Sequence, residues 1–316
     1  MRVRWSDLVL LAGAPALPFA VAPLVGGSHW SLDLMACFPV QAMGWLGLCA
    51  ILLAAARRWR AALAMAAGAA IAAAVVLPAW LRRPPPGPSD AVPMRVLALN
   101  LLRGSEANAG RALAVVAAAA PDLLFCSEVT PAWHAALADH LPQLPHRCVQ
   151  TDDGYFGVAL FSHWPLRAEV LPLPFAWAPA VRAVVATPAG DVGVLGVHAP
   201  RPGSRQRCRE RDQALAAIPA ALAPLPARRA VLGDCNATPW NAAFRALLDA
   251  TGLRPAADGV WLPTWPTALP RPLRVPIDHV LVSGGIGVER CAVGADFGSD
   301  HLPVFAALRL PRTAPN

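Results

Sequence analysis

The chain has 316 residues, 56% of them apolar and only 15% charged, with a mean hydropathy of +0.44, which excludes disorder, a fibrous repeat and a wholly soluble protein. Every one of the 27 basic residues is Arg, and the formal net charge is +7. The acids Asp7, Asp33 and Asp90 alone precede Met94, whereas the 223 residues from Met94 onward carry 20 Arg and 17 acids. A net +3 there is mild beside a dedicated DNA-binding surface, and seven scattered Cys without a CxxC pair indicate neither a zinc site nor a disulfide framework.

In chain order, three apolar stretches come first, at about 8–25, 34–56 and 61–80. Each approaches the roughly 20 residues needed to cross a bilayer, so residues 1–82 are expected to form about three transmembrane helices. Pro15, Pro18 and Pro23 in the first are tolerable where neighbours satisfy the freed carbonyls. A cleaved signal peptide is the alternative for that stretch, disfavoured because two more apolar runs follow at once. Arg2 and Arg4 precede the first stretch, and Arg57, Arg58 and Arg60 separate the second and third. The positive-inside rule puts both clusters in the cytoplasm and the C-terminal part on the outer side of the membrane, although Arg82 and Arg83 oppose this. RPPPGP at 83–88 cannot be helical and opens a stiff linker over 83–93. Residues 94–311 then make one domain, long enough for a full core.

Within it, Met94–Leu99 reads as a strand ending at Asn100, Arg111–Ala120 as a helix stopped by Pro121, and Leu123–Cys126 as a buried strand that delivers Glu128 to a rim. The runs Gly157–Phe161, Val181–Thr187 and Val192–Val197 are further strands, the last leading into His198. Ala230–Leu232 breaks at Gly233 and presents Asp234-Cys235-Asn236. Residues two apart on an extended chain face one side, so Asp234 and Asn236 can share a ligand while Cys235 turns to the core. Near the end, Asp278-His279 and Ser299-Asp300-His301 flank a hairpin-like unit. Phosphate-ester hydrolysis needs carboxylates for a hard cation, a base for water and donors for phosphoryl oxygens. Glu128, Asp234, Asp300, Asn100, Asn236, His198 and His301 supply all three.

This ordered set, with GDCNATPW and GSDHLPV in sequence, resembles the endonuclease/exonuclease/phosphatase superfamily over about Arg95 to Leu310. The resemblance implies an α+β fold, a four-layer sandwich of two packed, mostly antiparallel sheets flanked by helices. It implies that Glu128 is the main Mg²⁺ or Mn²⁺ ligand, with Asn100 and Asp300 close to the metal and phosphate. Asp234 would orient or deprotonate the attacking water, steadied by Asn236. His301, held by Asp278, would donate to a phosphoryl oxygen, and His198 would be a second donor or a general acid. Cys235, Ser127 and His163 depart from the family's common residues, and Tyr155 has no counterpart of a catalytic Tyr used by some nuclease members.

The Arg cluster at 201, 205, 207, 209 and 211 holds the candidate phosphate contacts, Arg201 and Arg205 first, against the alternative of a solvated helix face. Trp240, Trp261 and Trp265 are stacking candidates or core. The expected activity is that of a membrane-anchored, metal-dependent phosphodiesterase of nuclease type. Its alternatives are a phospholipid or sphingomyelin-type head-group phosphodiesterase and a silent phosphate-binding membrane module. The expected partners are a nucleic acid or phospholipid head group and the membrane.

Overall fold

In a computed structural model the described residues are 3–84, 87–88, 90–175 and 177–312; Arg2 of the first basic cluster and Pro85 and Pro86 of the linker lie outside them. The chain opens with α1 (Trp5–Gly13) and α2 (Leu17–Val25), joined by a tight turn at Ala14–Ala16 where Pro15 removes a backbone donor. Then come a short α3 (Trp30–Met35), α4 (Pro39–Ala55) and α5 (Trp59–Leu81). Trp5–Ser28, with 24 residues, and Trp59–Leu81, with 23, are long and apolar enough to cross a membrane. The expected middle span at 34–56 is shorter than the sequence suggested. Pro39 starts α4 and leaves Trp30–Met35 as a separate helix, so α4 has 17 residues, about 26 Å at the α-helical rise.

Ala42, Leu46, Cys49 and Leu53 of α4 pack with Ala62, Met65 and Ala72 of α5 in one apolar cluster, small side chains at the seam allowing close approach. An Asp7–Arg58 ion pair of 2.5 Å puts the chain start and the turn before α5 at one end of these helices. The opposite end meets the second domain. There Gly259 N–H donates to the Ala79 carbonyl at 2.9 Å, and Trp80 lies 5.5 Å from Trp261, ring to ring. The linker thus begins from a docked helix end rather than a free tether. Outward-facing Leu8, Leu11, Leu24, Ile51, Leu63 and Leu81 are 58–77% exposed.

From Val92 the chain forms β1 (Val92–Asn100), α6 (Ala109–Ala119), β2 (Leu123–Ser127), α7 (Pro131–Ala138), β3 (His146–Gln150) and β4 (Val158–Ser162). Next come β5 (Leu166–Pro172), β6 (Pro179–Thr187), β7 (Gly190–His198), α8 (Arg205–Leu222), β8 (Arg229–Asp234) and α9 (Ala242–Thr251). The last strands are β9 (Arg254–Pro255), β10 (Asp278–Val282), β11 (Gly287–Val293) and β12 (Val304–Leu310). Among the described residues they build two six-stranded sheets, ordered β11-β12-β1-β2-β4-β3 and β5-β6-β7-β8-β10-β9. Each is antiparallel apart from one central parallel pair, β1–β2 or β7–β8, whose crossover carries a helix as parallel pairing requires.

Phe125, Val181, Val194, Leu232 and Val304 fill the space between the sheets. Trp133 and Val116 cover the first sheet from α7 and α6, and Leu215 and Phe244 cover the second from α8 and α9. Four layers result, as the resemblance implied. The unit flanked by the two Asp-His pairs is not a hairpin, however. β10 lies between β8 and β9 in the second sheet, whereas β11 and β12 pair in the first. Asp278 and His301 therefore approach from opposite sheets.

Candidate active site

Both parallel pairs end on the same side of the sandwich, and that shared edge builds the site. In β1–β2, Asn100 is level with Ser127, so Glu128 leaves the sheet beside it; in β7–β8, His198 is level with Asp234. Antiparallel β10 starts there, with Asp278 paired to Asp234. Glu128 and Asn236 hold left-handed backbone, φ 60° and 45°, a conformation that non-glycine residues keep only where surroundings enforce it. Gly233 at φ 124° has no room for a side chain, since a Cβ there would meet the Val197 carbonyl and the Phe125 ring.

Asp234, 1% exposed, is the hub. Its Oδ1 accepts from Asn236 N–H at 2.7 Å, and its Oδ2 accepts from Asn100 Nδ2 at 3.2 Å and Asn236 Nδ2 at 3.3 Å. His198 Nε2 and His301 Nε2 stand 3.7 and 3.8 Å from that same Oδ2. His301 Nδ1 donates to Asp278 Oδ2 at 2.8 Å, which keeps one proton on Nδ1, so that Nε2 is a second donor once the imidazole is protonated. Ser299 Oγ ties the β11–β12 connection to the end of β1, donating to the Asn100 carbonyl at 2.7 Å and accepting from His301 N–H at 3.1 Å. Cys235 faces the core, as its place between Asp234 and Asn236 predicted.

Burial, and then the Asp278 charge, push the Asp234 carboxyl up to about 8. Burial alone would lower the His301 imidazole, but the charges of Asp278 and Asp234 override it and raise it to about 10. Burial pushes His198 below its ordinary value and takes His279 down to about 4. His279 is structural: its Nε2–H donates to the Ala237 carbonyl at 2.8 Å, and its ring lies 4.4 Å from Phe244.

Two carboxylates complete the acidic set. Buried Glu128 accepts at Oε2 from the Arg103 N–H at 2.9 Å and forms no ion pair among the described residues. Asp300 accepts at Oδ2 from Trp265 Nε1 at 3.0 Å, while its Oδ1 lacks a hydrogen-bond partner among the described residues. Asp234, Asp278 and His301 also bring one donor atom each within 4.8 Å of one another, though His301 Nδ1 is already engaged with Asp278. A pocket holding four carboxylates and no guanidinium partner has a charge deficit that a hard divalent cation fits.

A family model described as Endonuclease/Exonuclease/phosphatase family matches residues 97–301. The chain belongs to this family. Its members are metal-dependent enzymes that hydrolyse phosphate esters. Among solved structures, an endonuclease/exonuclease/phosphatase from Beutenbergia cavernae DSM 12333 shares 21% identity at a TM-score of 0.56, over 69% of this chain and 72% of that one. Sphingomyelinase C from Streptomyces griseocarneus shares 19% at 0.52, over 68% and 99%. D. rerio TDP2 complexed with single-strand DNA product shares 17% at 0.57, over 68% and 98%. These likenesses establish the fold. No curated protein matches the chain.

The sequence-selected Asn100, Glu128, His198, Asp234, Asn236, Asp278, Asp300 and His301 all gather at this edge. The Arg cluster divides. Arg201 is exposed and stands over the Trp265 ring at 5.4 Å, near Asp300. Arg205 opens α8 on the surface, and its side chain makes no hydrogen bond or ion pair among the described residues. Arg211, read as a phosphate contact or a solvated helix residue, is neither: it is fully buried and paired with Asp33 of α3, while its Nη1 donates to the Asn236 carbonyl at 3.0 Å. The sequence reading also passed over an aromatic wall beside His198, where Phe156 lies 5.5 Å from the imidazole and 4.8 Å from Trp177. The signal for Asp33 was available, as an acid inside an apolar run marks a specific partner.

Proposed function

We propose that the protein is a membrane-anchored phosphodiesterase using Mg²⁺ or Mn²⁺, with Glu128, Asn100 and Asp300 holding the ion. The observation that carries this reading is the convergence of two imidazole Nε2 atoms on the Asp234 carboxylate, beside a Glu128 carboxylate that forms no ion pair among the described residues. Water attacks phosphorus in line; its oxygen bonds to phosphorus, the bond from phosphorus to the leaving oxygen breaks, and the departing alkoxide takes up a proton. Asp234 receives the water's proton, its raised pKa giving it basicity close to working pH. Asn100 and Asn236 fix the carboxylate's rotamer. Protonated His301, oriented by Asp278, donates to a phosphoryl oxygen that gains charge in the transition state. His198, kept neutral by burial, acts as a second hydrogen-bond donor. A bound divalent ion supplies Lewis-acid charge to the phosphoryl oxygens.

Membrane seating is supported by the uncovered apolar side chains and by the helix directions. The Asp7–Arg58 pair keeps Arg58 at the helix ends remote from the catalytic domain, which supports three crossings and a domain outside the cytoplasm. The test uses full-length protein with Mg²⁺ or Mn²⁺ on bis(4-nitrophenyl) phosphate, plasmid DNA and phospholipids, alongside an Asp234→Ala/His301→Ala variant. Metal-dependent turnover lost in the variant is the expected result. Absence of turnover in folded, metal-loaded protein would leave the silent phosphate-binding module.

A further inference from the structure

The apolar helices do more than tether the domain, because they form a groove together with the 261–273 segment, whose Trp265 donates to Asp300. This cavity of about 1020 Å³ is lined by Ala16 and Phe19 of the first apolar stretch, Phe38 and Trp45 at α4, and Leu269 and Leu273 of the catalytic domain. Its volume reaches the upper end of the ~300–1,000 Å³ typical of ligand pockets. Gln41 seals the junction by donating from Nε2 to the Pro272 and Arg274 carbonyls at 3.1 and 3.0 Å.

Phe38 connects the groove with the chemistry. It packs in a cluster with Cys37, Val275, Ile277 and Trp265; Ile277 directly precedes Asp278, and Trp265 Nε1 donates to Asp300. Two cationic side chains stand along this segment, Arg271 lining the groove and Arg201 over Trp265. A groove walled by apolar helices, with guanidinium groups along the 265–273 segment that runs from Asp300 to its rim, matches an amphiphile with a phosphate head.

We infer that the substrate is a lipid phosphoester, whose hydrocarbon chain lies in the groove between the α1–α2 stretch, α4 and the 261–273 segment while its phosphate reaches Asp234 and His301. This rests on the phosphodiesterase reading above and narrows it to a substrate that stays partly within the bilayer. Water adds across the bond between phosphorus and the leaving oxygen, giving an alcohol and a phosphate monoester, and the chain need not leave the membrane.

Gly44 provides the test. It lines the groove, and a Cβ added there meets nothing within 4 Å, as is also true of Gly47 one helical turn away, which does not line it. Full-length wild type, Gly44→Phe and Gly47→Phe, each in phosphatidylcholine nanodiscs with Mn²⁺, are assayed on hexadecyl 4-nitrophenyl phosphate and on soluble bis(4-nitrophenyl) phosphate. The expected result is a KM for the hexadecyl ester raised at least about tenfold by Gly44→Phe and unchanged by Gly47→Phe, with turnover of the soluble diester equal in all three. A diazirine-tagged hexadecyl phosphate should also label the 38–45 segment, in competition with untagged hexadecyl phosphate.

Cleavage of both esters with no difference between the two glycine variants would overturn the groove assignment and leave the phosphodiesterase standing. Preferred cleavage of single-stranded DNA, indifferent to Gly44→Phe, would overturn it in favour of a nuclease. Competed labelling without turnover of either ester would retain the groove and remove the activity. Labelling spread over all the helices and not competed would mean bulk lipid only.

Discussion

Replacing Asp33 with Ala isolates the join between the apolar N-terminal helices and the Asn236 loop of the candidate site. Asp33 pairs through Oδ2 with Arg211 Nη2, and Asn241 Nδ2 donates to its Oδ1 at 3.0 Å and to its carbonyl at 2.8 Å. Arg211 is fully buried; what remains to it is the Asn236 carbonyl at 3.0 Å and Asp212 at 2.6 Å, the latter with a side chain 46% exposed. Breaking one side of a buried pair costs roughly 3–5 kcal/mol, and these surviving partners put the expected loss near the lower bound, about 3 kcal/mol. For a domain of this size that is a fall in Tm of roughly 6–12 °C, read by thermal unfolding of full-length protein in nanodiscs. Asp33→Leu combined with Arg211→Met should recover most of it, since no charge is then left buried. A single-variant shift below about 1 °C, or a double variant as unstable as the two single losses added, would refute the argument that the pair locks the Asn236 loop to α3.

Asp234→Asn, which keeps the hydrogen-bonding shape but removes the base, should lower kcat by about 10²–10⁴ with little change in Tm; full activity would exclude Asp234 as the base. Chelation should abolish turnover and added Mn²⁺ restore it, and calorimetric titration should show Glu128→Gln weakening Mn²⁺ affinity by at least about tenfold. Unaltered affinity in that variant would move the metal elsewhere. His279 supplies a pH signature: burial takes it from 6.5 to about 4, so between those values the unfolded chain binds the extra proton and stability falls as pH drops. The full effect, reached below pH 4, is about 3 kcal/mol, and His279→Gln should flatten the decline of Tm from pH 7 to 4.

Much of the catalytic edge was legible because short apolar strands end in polar residues. Asn100, Glu128, His198 and Asp234 each follow a buried run, and a strand's end fixes where its next side chain emerges. Cys235 was placed in the core by alternation alone. Less was legible wherever the partner lies far along the chain. Asp278 and His301 read as the flanks of one hairpin, but their meeting depends on which sheet each strand joins, and strand pairing is a matter of tertiary register rather than local pattern. Arg211 sits among four other Arg residues in a sequence that suits a solvated helix face. Only docking of α3 onto α8, with 178 residues separating Asp33 from Arg211, buries its guanidinium.

The sequence by itself determined the apolar N-terminal quarter, the proline break, the family and the identities of the acids and imidazoles, because hydrophobic periodicity and short motifs are local properties. Tertiary structure alone decided that the two parallel strand pairs end at one edge, that Asp234 becomes a buried hub with a raised pKa, and that the apolar N-terminal helices wall a groove beside Trp265. Burial and electrostatic coupling arise between residues distant in sequence, and they exist only once the sheets and helices have packed.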